Sequence, residues 1–227
     1  MRIAIVSDIH GNLMALDAVM ADLAEQSPDE VWCAGDLAWG GLWPSECIAR
    51  VRGAGWVTIR GNTDVWVTGD PQAVEDESER AELAGFALAH DLSEDDKRWL
   101  IELPFAHQGP GGLLMVHGTP ESTFTAPLPD SPAADFAPYE GKATLVVYGH
   151  VHRAFIRRLA DGTLVANPGS VGWPMDDRTA SYLIIDRHGA DLILRHRRVP
   201  FDRRAVLAQA RRLGGPIGQR LLADFEP

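Results

Sequence analysis

The chain has 227 residues, 45% of them hydrophobic and 23% charged, which is the make-up of an ordinary globular protein with a sizeable core. A net charge of −11 repels duplex DNA or RNA over most of the surface, so duplex nucleic acid is not an expected partner. No apolar run approaches the ~20 residues of a membrane span, Met1-Arg2-Ile3 leads straight into a strand without a signal peptide, and Cys33 and Cys47 are too few for a disulfide framework; the expected location is the cytoplasm.

Arg2 to Ser7 (RIAIVS) is a short apolar, β-rich run, followed at once by Asp8-Ile9-His10-Gly11-Asn12. Asp8 and His10 are two apart, so at the strand's carboxyl end both side chains leave from one face, where ligands collect in open α/β sheets. Asn12 can cap a helix to about Gln26 whose apolar face is Leu13, Leu16, Val19, Met20 and Leu23. A second strand, Glu30 to Ala34, runs into Gly35-Asp36, and Pro44 fits the first turn of a helix to about Arg52. Gly55 to Arg60 is a third strand, ending in Gly61-Asn62-Thr63-Asp64, so the first 65 residues read β-α-β-α-β, the pattern of parallel crossovers.

Glu75 to Asp91 and Ser93 to Glu102 read as helices, the second with Ser93 as cap. Leu113 to Val116 is an apolar strand ending in His117-Gly118. Thr119 to Glu140, rich in Pro, Ala and Ser, reads as a long functional loop, and Ala143 to Tyr148 as a buried strand ending in Gly149-His150-Val151-His152. Beyond His152 the texture is antiparallel: Phe155–Leu159 with Leu164–Ala166, then Tyr182–Asp186 with Asp191–Arg197, each pair joined by a Gly-containing turn. Asp202 starts a final helix with apolar Val206, Leu207 and Leu213. The whole chain, 1–227, reads as one domain.

Asp8, His10, Asp36, Asn62, His117, His150 and His152 thus all stand at strand ends, and Gly11, Gly35, Gly61, Gly118 and Gly149 flank them. Seven nitrogen and oxygen donors without a thiolate suit two divalent cations sharing a carboxylate, Mn, Fe, Ni or Zn rather than Mg or Ca. Glycine beside a ligand lets the backbone turn sharply and an ion approach closely. Taken singly, His117 reads as a core histidine, His150 and His152 as a surface pair and Asp36 as a turn former; it is their joint recurrence that points to a metal site. His90, His107, His188 and His196 lack that setting and read as structural, as do the arginines from Arg195 to Arg212, a solvated strand end and helix face.

The ordered motifs Asp8-Ile9-His10, Gly35-Asp36, Gly61-Asn62-Thr63-Asp64, His117 and Gly149-His150-Val151-His152 resemble those of the calcineurin-like metallophosphoesterases, and Asn167-Pro168-Gly169-Ser170-Val171 resembles a loop of their small bacterial and archaeal branch. The resemblance implies an α/β/β/α four-layer sandwich with mixed sheets, and a phosphodiesterase or broad phosphatase that uses two divalent ions, manganese foremost, and a bridging hydroxide on a small phosphorylated substrate. It implies Asp8, His10, Asp36 and His152 on one ion, and Asp36, Asn62, His117 and His150 on the other, with Asp36 bridging. Asp36 and Asn62 would then be catalytic; Arg60 matches a phosphate-contacting arginine of some relatives, and Asn62 and Asn12 are further candidate substrate contacts. Larger relatives carry a proton-donating histidine where Thr63 stands, which leaves Asp64 without the partner it would orient. The competing readings are a catalytically weak scaffold or binding module of the same fold and a mononuclear redox metalloprotein; self-association is compatible with any of them.

Overall fold

Strand alternation sorts the side chains into layers. The computed structural model describes residues 1–68, 80, 84, 92–189 and 191–226. In strand β1 (Arg2–Val6), Ile3 and Ile5 face a second sheet while Ala4 and Val6 face helices. Strands β2 (Glu30–Cys33) and β3 (Val57–Thr58) run parallel to β1, and β9 (Ala180–His188) and β10 (Asp191–Val199) extend the sheet antiparallel on the other side, giving the order β10-β9-β1-β2-β3. The second sheet runs β4 (Ala106–Gly109), β5 (Leu113–Val116), β6 (Leu145–Tyr148), β8 (Leu164–Asn167), β7 (Phe155–Arg158), parallel at its centre and antiparallel at both edges. Ile5, Trp32, Met115, Val147 and Leu183 fill the space between the sheets.

Helices cover the outer face of the first sheet: α1 (Leu13–Gln26), α2 (Pro44–Gly53), α5 (Arg203–Leu213) and α6 (Gly215–Phe225) share one core with Ala4, Val6 and Tyr182. The expected apolar stripe of α1 is buried at Leu16, Val19 and Leu23, with Leu13 and Met20 at its margin. Helices α3 (Asn62–Val67) and α4 (Glu94–Glu102) follow β3, and the Ser93 side chain caps α4 by accepting the Asp96 N–H. The expected helix from Glu75 to Asp91, with His90, lies outside the described residues apart from Arg80 and Ala84.

Four segments differ from what the sequence leads one to expect. The strand expected over Gly55–Arg60 narrows to Val57–Thr58, because Gly55 takes a left-handed conformation and the Arg60 N–H turns away to the Pro104 carbonyl. The Thr119–Glu140 loop is packed: a 3-10 helix, Ala133–Tyr139, buries Phe136 and Tyr139 against Val146, Tyr148 and Val165 on the outer face of the second sheet. Helix α6 and strand β4 have no counterpart among the expected elements. Within the basic run, Arg195 pairs with Asp186, Arg197 with Asp22, Arg198 with Asp176 and Arg211 with Glu226.

Asp22 on α1 joins the helix to the sheet, accepting from the Tyr182 hydroxyl at 2.6 Å and from Arg197 at 2.6 and 3.1 Å. Arg197 first, then the Tyr182 hydroxyl, hold the Asp22 carboxyl below the usual carboxylate range against the opposing pull of burial. A depressed pKa gives stability that is present above the unfolded-state pKa and lost as pH falls through the folded-state value. Asp22→Asn should therefore cost about 1–2 kcal/mol near neutrality, since the pair is partly exposed. The deficit should shrink below about pH 4; urea unfolding of both proteins at pH 7 and pH 3.5 checks it.

Candidate metal centre

The turns that follow β1, β2 and β6 are bent by side-chain-bearing residues in the left-handed region, and those residues are five of the seven candidate ligands. Among the described residues, the non-glycine positions with positive φ are Asp8 (56°), His10 (46°), Asp36 (57°), His150 (69°), His152 (56°) and Ser27 (50°). Side-chain-bearing residues avoid this region at a cost of about 1–2 kcal/mol each. Only Ser27 lies outside the cluster, where it ends α1.

The surrounding hydrogen bonds over-determine these turns. The Asp8 N–H donates to the Gly35 carbonyl at 3.0 Å and the His10 N–H to the Asp36 carbonyl at 2.9 Å, locking the first two turns together. The Asp8 carboxylate accepts the His150 N–H at 3.1 and 3.2 Å. Asn167 donates to the Tyr148 and Gly149 carbonyls, both at 2.6 Å, and accepts the Gly169 N–H at 2.9 Å, pinning the turn that carries His150 and His152. Ser170 donates to the Asp8 carbonyl at 2.7 Å and accepts the Trp173 N–H at 2.7 Å. Gly61 is required by proximity: a Cβ there would run into the Asp36 carboxylate.

Three imidazoles are fixed in one tautomer. Nδ1 of His10 lies 2.8 Å from the Trp39 carbonyl, Nδ1 of His117 2.7 Å from the Ala34 carbonyl, and Nδ1 of His152 2.9 Å from the Trp173 carbonyl. A carbonyl only accepts, so Nδ1 carries the proton and the neutral ring presents a bare lone pair at Nε2. Those lone pairs face other acceptors. His10 Nε2 and His152 Nε2 are 3.1 Å apart; His152 Nε2 is 3.3 Å from Asp8 Oδ1, and His10 Nε2 is 3.6 Å from Asp36 Oδ2. One donor atom from each of Asp8, His10, Asp36 and His152 fits within 4.8 Å of all the others, so this group can hold a metal ion.

A second convergence lies beside it. His117 Nε2 is 3.4 Å from Asp36 Oδ1 and 2.9 Å from the Asn62 side-chain oxygen, which is 3.0 Å from His150 Nδ1. The structure thus brings together all seven residues read from the sequence as ligands, with Asp36 between the two groups. Burial opposes ionisation of Asp36, yet His117 and then His10 hold its carboxyl far below the usual range. Asp36 in turn overcomes burial to raise His117 to about 9, while burial and a neighbouring imidazole lower His10 and His150 to about 4.

The candidate substrate contacts are placed differently. Asn12 has both ends of its amide engaged, Oδ1 accepting the Ala15 N–H at 3.2 Å as the α1 cap and Nδ2 donating to the Gly172 carbonyl at 2.9 Å. Arg60 is tied to α4 and the turn after it, its Nη1 donating to the Ile101 carbonyl at 2.9 Å and its N–H to the Pro104 carbonyl. Thr63 is buried, and its hydroxyl finds no hydrogen-bond partner among the described residues.

Asp64, with Thr63 in place of the histidine it would orient, is held by the main chain. Its Oδ2 accepts the Asp36 and Gly61 N–H groups and its Oδ1 the Leu37 N–H, all at 2.9 Å. Burial and the Asp36 charge push its carboxyl up to about 6 against those bonds. Asp64 therefore sets the turn that carries Asp36. Other residues that sequence reasoning missed are Trp39, Trp173 and Arg220, which with His10, His150, His152, Ala126 and Leu128 line a cavity of about 430 Å³. The 119–140 segment, read as a functional loop, contributes Ala126 and Leu128 to its walls.

Side chains able to hold a metal ion, gathered at the strand ends of two packed mixed sheets, define a metal-site α/β sandwich. The chain belongs to the calcineurin-like phosphoesterase superfamily, whose domain profile matches residues 1–189. It is 27% identical over 241 residues to an uncharacterized protein of Methanocaldococcus jannaschii, covering 96% of each chain. The crystal structure of a metallophosphoesterase from Sphaerobacter thermophilus is similar at 27% identity and a TM-score of 0.78, over 99% of this chain and 100% of that one. A hypothetical protein from Pyrococcus horikoshii shares the fold at 20% identity and a TM-score of 0.81, over 97% of both chains. No described helix is long and apolar enough to cross a membrane.

Asp64→Asn would point an N–H₂ at a backbone N–H and leave a buried donor unpaired. The expected cost is about 1–3 kcal/mol, together with weaker metal retention through the displaced Asp36 turn. Chemical unfolding of the metal-free protein reads the first effect and elemental analysis after dialysis the second.

Proposed function

We propose that this chain hydrolyses phosphate esters, as a phosphodiesterase or broad phosphatase, with a pair of divalent cations. The observation that carries this reading is the convergence of lone pairs: rings whose Nδ1 protons are spent on backbone carbonyls turn Nε2 toward each other and toward carboxylates. Acceptors facing at 3.1 Å repel unless a cation or proton lies between them. Asp8, His10, Asp36 and His152 would hold one ion, and Asp36, Asn62, His117 and His150 the other, with Asp36 shared. Nitrogen and oxygen donors without thiolate suit Mn, Fe, Ni or Zn, and the resemblance to the family puts Mn foremost. When bound, such ions supply positive charge to the phosphoryl oxygens and lower the pKa of a water.

The chain's own contribution is positioning and exclusion. Asp8, Asp36, Asn62 and His117 are buried and form a dry floor, while His150 and His152 are partly exposed and border the cavity. An ester would therefore enter past His150 and His152. A cavity of about 430 Å³ suits a small phosphorylated molecule better than a macromolecule. The excess acidity of the chain is consistent with that, since it repels duplex nucleic acid.

Asp36→Asn should release both ions and lower turnover by at least about 100-fold, because a lost shared ligand exceeds the 10–100-fold typical of an outer-shell change. Elemental analysis of wild type and variant, beside a screen of mono- and diesters with each metal, tests the reading. Two ions retained at a near-normal rate in the variant would refute the shared role of Asp36, and no hydrolysis by metal-loaded wild type would refute the phosphoesterase.

The second expectation concerns proton donation to the leaving group. Thr63 carries no group that donates a proton near neutrality, and its hydroxyl is shut away from solvent. Esters with a stable phenolate leaving group should accordingly be cleaved far faster than alkyl esters, by about the 10²–10⁴-fold that a positioned acid supplies. The ratio of kcat/KM for an aryl and an alkyl ester of the same phosphate measures it, and equal rates would show that another group donates.

A further inference from the structure

Helix α6 lies beyond the part of the chain that matches the family profile, which ends at residue 189, yet it reaches the cavity. The Arg220 guanidinium lies 5.5 Å from the ring centroid of Trp39 and 5.5 Å from that of Trp173. Both indoles stand edge-on to His10, with centroids 6.2 and 5.8 Å from its ring. A permanent cation is thus held one aromatic layer from the metal centre, on the same cavity as His10, His150 and His152.

Asp224, one turn further along α6, lies 3.8 Å from Arg220 Nε and accepts the Trp173 indole N–H at 3.1 Å. An exposed pair of that spacing contributes little by itself, and the two side chains are 44% and 40% exposed. The carboxylate holds the indole by a hydrogen bond and stands beside the guanidinium without one. Leu128, Val151 and Met175 add apolar lining to the same cavity. A guanidinium lying over indole rings is less hydrated than one in water and keeps its planar donor fork, which favours carboxylate or phosphate oxygens.

We propose that Arg220, framed by Trp39 and Trp173, is an anion subsite that selects phosphate esters bearing a second anionic group, carboxylate or phosphate, about one aromatic ring away from the scissile phosphate. The inference rests on the phosphoesterase reading above for its substrate class. Arg220 takes no part in bond breaking; it sets which ester is held.

The test uses 4-nitrophenyl phenyl phosphate and two counterparts carrying a carboxylate or a phosphonate on the para position of the retained phenyl ring. Metal-loaded wild type should favour the charged esters in kcat/KM by about tenfold or more, the gain of a charge-assisted hydrogen bond; which substituent gains more separates carboxylate from phosphate recognition. Arg220→Met keeps the aliphatic bulk between the indoles and should reduce that ratio to about twofold or less, and Arg220→Lys should restore part of it. Metal content and melting temperature accompany each variant to show that the site is intact. Calorimetric binding of benzylphosphonate and 4-carboxybenzylphosphonate should show the same Arg220-dependent ratio without any turnover. No preference in wild type, or a preference that survives Arg220→Met, overturns the subsite. Arg220-dependent binding with no ester hydrolysed would uphold the subsite and overturn the phosphoesterase reading.

Discussion

The constraint on which this architecture depends is that groups with nothing to donate are forced to face one another. Three backbone carbonyls, those of Ala34, Trp39 and Trp173, each take the Nδ1 proton of an imidazole. In its neutral form each ring then has only a lone pair to present at the centre, where Asp8, Asp36 and Asn62 present more lone pairs. It is this crowding of acceptors that draws a proton onto His117. Five left-handed side-chain-bearing residues hold this arrangement, at roughly 1–2 kcal/mol apiece. Strain of that size persists only where the neighbourhood fixes it. Here it is fixed from behind, by the ladder from Asp8 to Gly35 and His10 to Asp36, and by Asn167 and Ser170 from the second sheet. Any cation that binds the folded state alone would offset part of that cost.

Charge follows the same geometry. Asp36 is buried among imidazoles, and their proximity outweighs the penalty of burying its charge. Asp64, which holds the turn of Asp36, meets the opposite balance: burial and Asp36 together outweigh three backbone N–H bonds and lift its carboxyl to about 6. Two buried carboxylates are therefore set apart by environment, one drawn to the imidazoles and one to the main chain. The sequence spacing of Gly61-Asn62-Thr63-Asp64 serves both groups. It places Asn62 at the imidazoles and returns Asp64 to the turn that carries Asp36.

What was legible in the sequence was whatever local pattern decides. Leu113–Val116 is wholly apolar and flanked by glycines, and the strand has those bounds. Asn12, Ser93 and Asp202 cap helices as their side chains allow. Ala106–Gly109 carries no strand signal; it is recruited as an edge by pairing with β5, a tertiary effect. Helix α6 was readable in principle, since Ile217, Leu221 and Phe225 recur every four residues and Pro216 suits a first turn, but Gly214-Gly215 looks like an end. The ligand types were legible because glycines mark the turns. The ring tautomers and left-handed turns were not, since they depend on carbonyls such as those of Trp39 and Trp173, 29 and 21 residues from the rings they hold. Arg60 and Asn12 show the reverse case, polar residues beside a motif whose hydrogen bonds serve α4 and the α1 cap.

The same division separates the centre of the site from its rim. The seven candidate ligands fall between residues 8 and 152, on turns whose form the sheets impose. The rim is assembled from segments that the sheets do not constrain: Trp39 after β2, Leu128 in the 119–140 segment, Trp173 after β8 and Arg220 on α6. Their mutual order comes instead from side chains. Asp224 holds the Trp173 indole N–H, and Trp173 packs on Phe225 with ring centroids 5.9 Å apart. Phe225 belongs to the helical core over the first sheet, so the rim side chains are anchored through that core, while the Trp39 and Trp173 carbonyls hold the rings of His10 and His152. A change at an α6 side chain such as Arg220 therefore bears first on what enters the cavity, whereas one that moves Trp173 also reaches the ring of His152.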